Sequence, residues 1–109
     1  MNLYEIVLII DAFLKKKKKK DIINILKKYI LNKNGEIIYK KSLGIKNFEY
    51  NIKKKKNGFY YLLEINILPK YILNIKKIMN NEECIIRYLI IKLNKYSIKY
   101  LHSVRNIKI

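Results

Sequence analysis

Residues 47–69 read NFEYNIKKKKNGFYYLLEINILP, two apolar segments separated by a run of lysines and a glycine. In the first segment apolar and polar residues alternate, and a period of two is typical of a strand with one apolar face. Lys53–Asn57 followed by Gly58 is typical of a basic hairpin turn. Phe59–Leu68 is then the returning strand, and Pro69 suits the first position of a helix. The segment therefore predicts an antiparallel hairpin that leads into a helix.

The segments on either side of this hairpin each add a strand and a helix. Leu3–Ile10 is an apolar run of strand length, and apolar residues from Ile22 to Ile30 recur at three- and four-residue spacings, which is typical of a helix. Asn32–Gly35 is typical of a helix end, with Gly35 suited to the left-handed position. The other predicted features are a strand beginning at Glu36, a bulge or bend at Leu43-Gly44, a helix closed by Asn80-Asn81 and a strand at Ile85–Leu93.

The predicted order of elements is strand, helix, strand, strand, helix, strand. Two crossover units joined by a hairpin make a ferredoxin-like β-α-β-β-α-β arrangement, an α+β fold. Right-handed crossovers place both helices on one face of a four-stranded antiparallel sheet and leave the other face open. The domain is expected to span residues 1–93, and residues 94–109 form a basic C-terminal extension. The predicted core is Ile6, Leu8, Leu26, Ile30, Ile65, Ile75, Met79, Tyr88 and Ile90.

The open face of the predicted sheet is more apolar than a solvated surface should be. Strand alternation assigns it Leu3, Glu5, Val7, Ile9, Arg87, Leu89 and Ile91. Either this face binds a partner, as exposed apolar patches often do, or loops and the basic tail cover it. Arg87 either contacts a phosphate or a partner carboxylate, or forms a cross-strand pair with Glu5.

The chain is strongly basic, since 25 Lys and Arg oppose eight Asp and Glu for a formal net charge of +17. A compact domain with this charge repels itself and favours a polyanionic partner, either nucleic acid or an acidic membrane surface. The abundance of Lys, Ile, Asn and Tyr is typical of an AT-rich genome, such as that of an organelle or a reduced-genome bacterium. The apolar stretch Ile6–Ile10 is too short to span a membrane. Charge alone leaves a peripheral membrane role open, but no predicted amphipathic helix has the bulky aromatic face that would strengthen it. We therefore expect a cytoplasmic protein that binds nucleic acid and no membrane.

Groups suited to catalysis or metal binding are scarce. Cys84 is the only cysteine, which excludes an internal disulfide, and His102 is the only histidine. The two lack a second pair of ligands, and the glutamates before Cys84 disfavour its thiolate. An acyl-phosphate hydrolase on this fold would need an arginine in the loop after the first strand, but Asp11–Leu14 contains none. The sequence therefore predicts no enzyme, cofactor, metal or small-molecule substrate.

A resemblance to a known family lies in the hairpin segment. Leu43–Ile52, the basic run at 53–57 and Gly58-Phe59-Tyr60 are similar to the signature of bacterial small-subunit ribosomal protein six. That signature has a glycine with basic residues, a Leu-Ala-Tyr-Pro-Ile-like segment, a basic loop, and a glycine with aromatics.

The resemblance extends over residues 1–92, because Tyr4–Val7 is similar to the start of the family and Ile86–Ile90 to its last strand. Glu49 stands where a small residue is usual, which puts a charge near the expected contact surface. Asn51 stands where proline is usual, and this change should be mild on an edge strand. The C-terminal extension shows no clear counterpart.

The resemblance implies a ferredoxin-like fold without catalysis. It also implies assembly with ribosomal protein eighteen on the central domain of small-subunit ribosomal RNA. A lysine-rich hairpin tip suits the sugar-phosphate backbone, where it carries no base specificity. The residues expected to contact RNA are Lys46, Lys53, Lys54, Lys56, Arg87 and Lys92. Those expected to contact the partner protein are Phe48, Tyr50 and Tyr60.

Two further interpretations concern RNA. Gly58-Phe59-Tyr60-Tyr61 is similar to the aromatic strand of an RNA-recognition motif, whose aromatics stack on bases. Only Tyr60 would face outward here, so a stand-alone module reading single-stranded RNA is the alternative function. Lys15–Lys20 is expected to be a solvated lead-in to the first helix, or a non-specific attractant for RNA.

Overall fold

The computed structural model describes residues 2–94. The described elements are β1 (Asn2–Ile10), α1 (Lys16–Asn32), β2 (Glu36–Ile52), β3 (Lys55–Ile67), a 3₁₀ turn (Pro69–Tyr71), α2 (Ile72–Asn81) and β4 (Ile85–Lys92). The four strands form an antiparallel sheet in the order β2-β3-β1-β4, so β2 and β4 are its edges. The predicted ferredoxin-like fold is confirmed. Neither helix of the described part is long and apolar enough to cross a membrane.

One apolar cluster joins the two helices to a single face of the sheet. The predicted core is confirmed except at Tyr88 and Ile90, which are half-buried because they lie on the edge strand β4 and pack against the rim of the cluster. The Tyr88 hydroxyl donates a hydrogen bond of 2.9 Å to Asn80 Oδ1. A tyrosine at the edge of a core thus keeps its polar end satisfied, as this amphipathic side chain requires.

The first helix begins earlier than expected. Lys16–Lys20 belong to α1, so the interpretation of this run as a lead-in to the helix is wrong. Lysine is a good helix former, and the run propagates the helix although the first turn contains no acidic residue. Lys19 is half-buried and its ammonium donates a hydrogen bond of 3.1 Å to the Ala12 carbonyl.

The end of α1 shows that Asn34, and not Gly35, takes the left-handed conformation, with a φ of 61°. The Gly35 N–H donates to the Ile30 carbonyl at 2.9 Å, and the Asn34 N–H donates to the Leu31 carbonyl at 3.1 Å, the pair of bonds of a Schellman motif. Gly35 is needed for a different reason. A Cβ there would lie 2.8 Å from Ile30 Cγ2.

The hairpin turn is shorter than predicted. Ile52 pairs with Lys55, which leaves Lys53 and Lys54 as a two-residue turn with φ values of 50° and 64°. Such turns match the twist of the strands but favour asparagine and glycine, so lysine is strained in both positions. The predicted bend at Leu43-Gly44 is confirmed, because the register shifts there and Gly44 has a φ of 81°.

Candidate nucleic-acid and protein interface

The open face of the sheet has an apolar centre. Val7 on β1 lies beside Leu62 of β3 and Leu89 of β4. Leu89 is 55% exposed and Ile91 is 43% exposed. The predicted orientation of β1 and β4 is confirmed, since Arg87 and these two residues are exposed while alternate residues of β1 are buried under the helices. Apolar side chains left in solvent on one sheet face are typical of a surface that binds a partner.

An aromatic corner, formed by Phe48, Gly58, Tyr60 and Ile9, lies at one end of this face. Tyr60 opposes Ile9 in the register of β3 with β1. The ring centroids of Phe48 and Tyr60 are 6.3 Å apart at a tilt of 58°, a geometry typical of interacting aromatics. Gly58 is buried, and the Phe48 ring lies against it, filling the space that a side chain would occupy. Two of the three residues predicted to contact the partner protein are therefore adjacent.

The third, Tyr50, is not part of this corner. It is 80% exposed and lies where the pairing of β2 with β3 is irregular, between Asn47 and Ile52. The predicted alternation along this segment is therefore broken at Tyr50.

The other aromatics of the hairpin lie as expected. Phe59 and Tyr61 pack against the core on the helix side, which leaves Tyr60 as the one outward ring of Phe59-Tyr60-Tyr61.

Two of the predicted RNA contacts flank the aromatic corner. Lys46 opposes Gly58, and its Nζ lies 5.8 Å from the Tyr60 ring centroid. Arg87 is exposed on β4 and opposes Ile9. A cation near an aromatic face gains from the ring quadrupole. The corner thus carries positive charge on both its sides, one on each edge strand.

The remaining basic candidates are spread over the molecule. Lys53 and Lys54 are exposed at the hairpin tip, and Lys56 is exposed on the first part of β3. Lys53 and Arg87 line one cleft of about 550 Å³, together with the acidic pair that precedes Cys84. Lys92 opposes Tyr4, which is buried under the helices, so it faces away from the open face. The predicted set therefore does not form one continuous patch.

The cross-strand pair of Arg87 with Glu5 is wrong. The register places Glu5 opposite Ile91 on β4 and opposite Glu64 on β3. Glu64 is completely buried, although strand alternation assigns it to the open face. Sequence reasoning did not single out Glu64, and the signal available was one acidic residue inside an apolar strand.

The loop after β1 is held by Asp11. The Phe13 N–H donates to Asp11 Oδ1 at 3.1 Å, and Lys55 Nζ lies 3.0 Å from Asp11 Oδ2. The backbone hydrogen bond from Phe13, followed by the charge and hydrogen bond of Lys55, lowers the pKa of Asp11. This carboxylate therefore ties the start of β3 to the loop where a hydrolase of this fold would need an arginine.

Cys84 is half-buried, and burial together with the charge of Glu82 raises the pKa of its thiol. This direction agrees with the expected effect of the preceding glutamates, and it is Glu82 that exerts it. Among residues 2–94, no group of three His, Cys, Asp or Glu side chains is placed to hold a metal ion. His102 and nearly all of the predicted extension lie outside the described residues.

Comparison with known proteins gives one family. Residues 3–92 match the model of the family described as Ribosomal protein S6. The chain belongs to this family. It is 33% identical over 108 residues to small ribosomal subunit protein bS6 of Phocaeicola vulgatus, covering 99% of this chain and 95% of that protein. It is 28% identical over 105 residues to bS6 of Flavobacterium psychrophilum. It is thus a protein of the small ribosomal subunit and sits in the ribosome.

A solved structure supports the fold separately. The crystal structure of 30S ribosomal protein S6 from Thermotoga maritima superposes with a TM-score of 0.81, at 19% identity, and covers 99% of this chain and 98% of that one. The family model ends at residue 92, whereas the alignment with the Phocaeicola protein extends over 99% of this chain and so includes most of the C-terminal extension. None of these matches supports the organellar or reduced-genome origin that composition suggested.

Proposed function

We propose that this protein is a non-catalytic structural component that binds small-subunit ribosomal RNA jointly with ribosomal protein eighteen. The observation that carries the proposal is the open face, which exposes Leu89 and Ile91 and has at one end the aromatic corner flanked by Lys46 and Arg87. Apolar and basic groups on one surface suit a protein partner that is itself bound to RNA. We place these contacts in the domain of residues 1–93 and treat 94–109 as an extension.

Contact with the partner protein and contact with RNA would use different parts of the surface. The apolar centre around Val7, Leu62 and Leu89 suits an apolar side of ribosomal protein eighteen, because burying it removes hydrocarbon from water. The hairpin tip suits phosphate, since Lys53 and Lys54 project beyond the pairing of the sheet and carry flexible ammonium groups. Such contacts fix position on RNA and add salt dependence without reading bases.

The test is the affinity for small-subunit ribosomal RNA, measured with and without ribosomal protein eighteen across a salt series. Site-specific binding that needs the partner and weakens with salt is the expected result. Equal, purely salt-driven binding to any RNA, whether or not the partner is present, would refute joint binding.

A matched pair of variants tests the surface itself. Leu89→Glu places a charge on the open face, and we expect it to weaken the complex with ribosomal protein eighteen by about tenfold or more. Leu73→Glu is the control, because Leu73 is 63% exposed and lies on α2, away from this face. Equal losses in both variants would contradict the assignment of the open face.

The stand-alone alternative makes a separate prediction. A module that stacks bases on its sheet would depend on Tyr60, so Tyr60→Ala would abolish RNA binding measured without the partner. The joint mechanism predicts little change in that assay, because it assigns RNA binding to lysine–phosphate contacts and not to stacking on Tyr60.

A further inference from the structure

The lysine run at the start of α1 has two different sides. Helical spacing directs Lys16, Lys19 and Lys20 toward the β2–β3 hairpin, where they line a groove of about 550 Å³. Lys18 lies on the other side, close enough to Cys84 for its charge to act on the thiol. A run that is uniform in sequence therefore presents an ordered set of cations on one side of the helix.

The floor of this groove is apolar and partly aromatic. Ile23, Ile45, Phe59 and Tyr61 line it. Ile45 is 58% exposed, so part of this floor is open to solvent. The groove lies on the helix side of the sheet, between α1 and the edge strand β2, and is separate from the open face described above.

Two lysines, one that lines the groove and one outside its lining, already lie over the aromatic residues of the floor. Lys19 Nζ lies 4.7 Å from the Phe59 ring centroid, and Lys27 Nζ lies 5.6 Å from that of Tyr61. None of the described residues that line the groove carries a carboxylate. The groove thus offers an apolar, partly aromatic wall beside the ammonium groups of Lys16, Lys19 and Lys20.

We propose that this groove binds an unpaired RNA nucleotide, with the base against Ile45, Phe59 and Tyr61 and the phosphate on Lys16 and Lys20. Charge complementarity supports RNA, because a nucleotide joins an anionic phosphate to a flat apolar base. Aromatic side chains bind bases of any sequence by stacking, and lysines contact the backbone. The volume falls in the range of small-ligand sites, about 300–1,000 Å³. The inference rests on the proposed function only in taking RNA as the ligand.

The test compares two double variants of the full chain that remove the same charge. Binding of a fluorescent single-stranded octauridylate is measured by anisotropy at about 0.1 M salt, where long-range attraction is partly screened. K16Q/K20Q should raise Kd by about fivefold or more, because both lysines line the groove. K17Q/K18Q should raise it by less than about twofold, because these lysines lie outside it. Equal losses would overturn the proposal and leave only non-specific attraction.

A second pair of variants tests the floor. Ile45→Glu places a carboxylate in the groove, whereas Ile38→Glu, also on β2 and 44% exposed, does not. Only Ile45→Glu should weaken octauridylate binding. The Ile23 and Ile45 methyl resonances should shift on titration with octauridylate, and unshifted resonances would overturn the proposal. Binding of an acidic octapeptide with equal affinity at the same methyls would also overturn it, in favour of a protein ligand.

The groove proposal and the proposal of joint binding with ribosomal protein eighteen can be refuted independently of each other. Leu89→Glu, on the open face, should leave octauridylate binding in the groove unchanged. K16Q/K20Q should leave the affinity for ribosomal protein eighteen unchanged in the absence of RNA. Loss of octauridylate binding in Leu89→Glu would overturn the placement of the site in the groove.

Discussion

Gly58 is a sensitive position, because a side chain there would collide with two neighbours on the open face. A Cβ built on it would lie 2.5 Å from Ile9 Cγ2 and 2.8 Å from Phe48 Cζ, both below the 3.0 Å that real Cβ contacts respect. Ile9 is held in the paired centre of the sheet, so its methyl cannot yield without moving β1. Overpacking of this kind costs about 1–3 kcal/mol. We expect Gly58→Ala to lower the free energy of unfolding by about 2 kcal/mol, even though alanine is normally the better strand residue.

Urea denaturation followed by circular dichroism measures this loss, with the slope as a check on two-state behaviour. Phe48→Ala removes one of the two collisions, so Gly58→Ala should cost about 1 kcal/mol less in that background. Gly44→Ala is the control. Its Cβ would meet no described atom within 4 Å, but its φ of 81° is strained for alanine, and the cost should not depend on Phe48. The reasoning would be refuted if Gly58→Ala left the free energy of unfolding unchanged. It would also be refuted if Phe48→Ala reduced the cost of Gly58→Ala and Gly44→Ala equally.

Two further predictions concern the hairpin and the loop it contacts. Replacing Lys53-Lys54 by Asn-Gly should raise the free energy of unfolding in urea by about 1–2 kcal/mol, since both residues have positive φ; no gain would contradict this turn geometry. Asp11→Asn should lower it by about 1 kcal/mol at pH 7. Because the pKa of Asp11 is lowered from 3.8, chiefly by the Phe13 hydrogen bond, its stabilising contribution is present above that value and is lost as the pH falls through the depressed pKa. The free energies of unfolding of wild type and variant should therefore converge in acid. A difference between them that stays constant down to about pH 2 would contradict the assigned role.

The order of elements and the two faces of the sheet were predictable because each depends on local periodicity. In β1 successive side chains alternate between the two faces, and Glu5 is the one charged residue of the run, so Val7 shares its open side while Tyr4, Ile6 and Leu8 lie under the helices. That constraint is strong enough to identify the open face without any knowledge of register.

Register itself was not predictable. Arg87 and Ile91 are four residues apart on β4, so both face the same side, and alternation alone cannot tell which of them opposes Glu5. The register shift between Ile9 and Ile10 sets the alignment at the end of the strand pair. The position of a bulge depends on side-chain packing across strands, which a continuous apolar run does not encode. The wrong Arg87–Glu5 pair follows directly from this degeneracy.

For function, the lysine run also separates what the local sequence pattern predicts from what only the folded structure reveals. Six identical residues at 15–20 have no periodicity, and net charge alone cannot separate a binding surface from mutational bias toward lysine. Once α1 includes Lys16–Lys20, its turn of about 100° per residue separates them, because residues three and four apart share a side. Lys16, Lys19 and Lys20 then meet an apolar groove, whereas Lys17 and Lys18 do not. If charge alone mattered, these positions would be interchangeable, so the two double lysine variants distinguish composition from an ordered site.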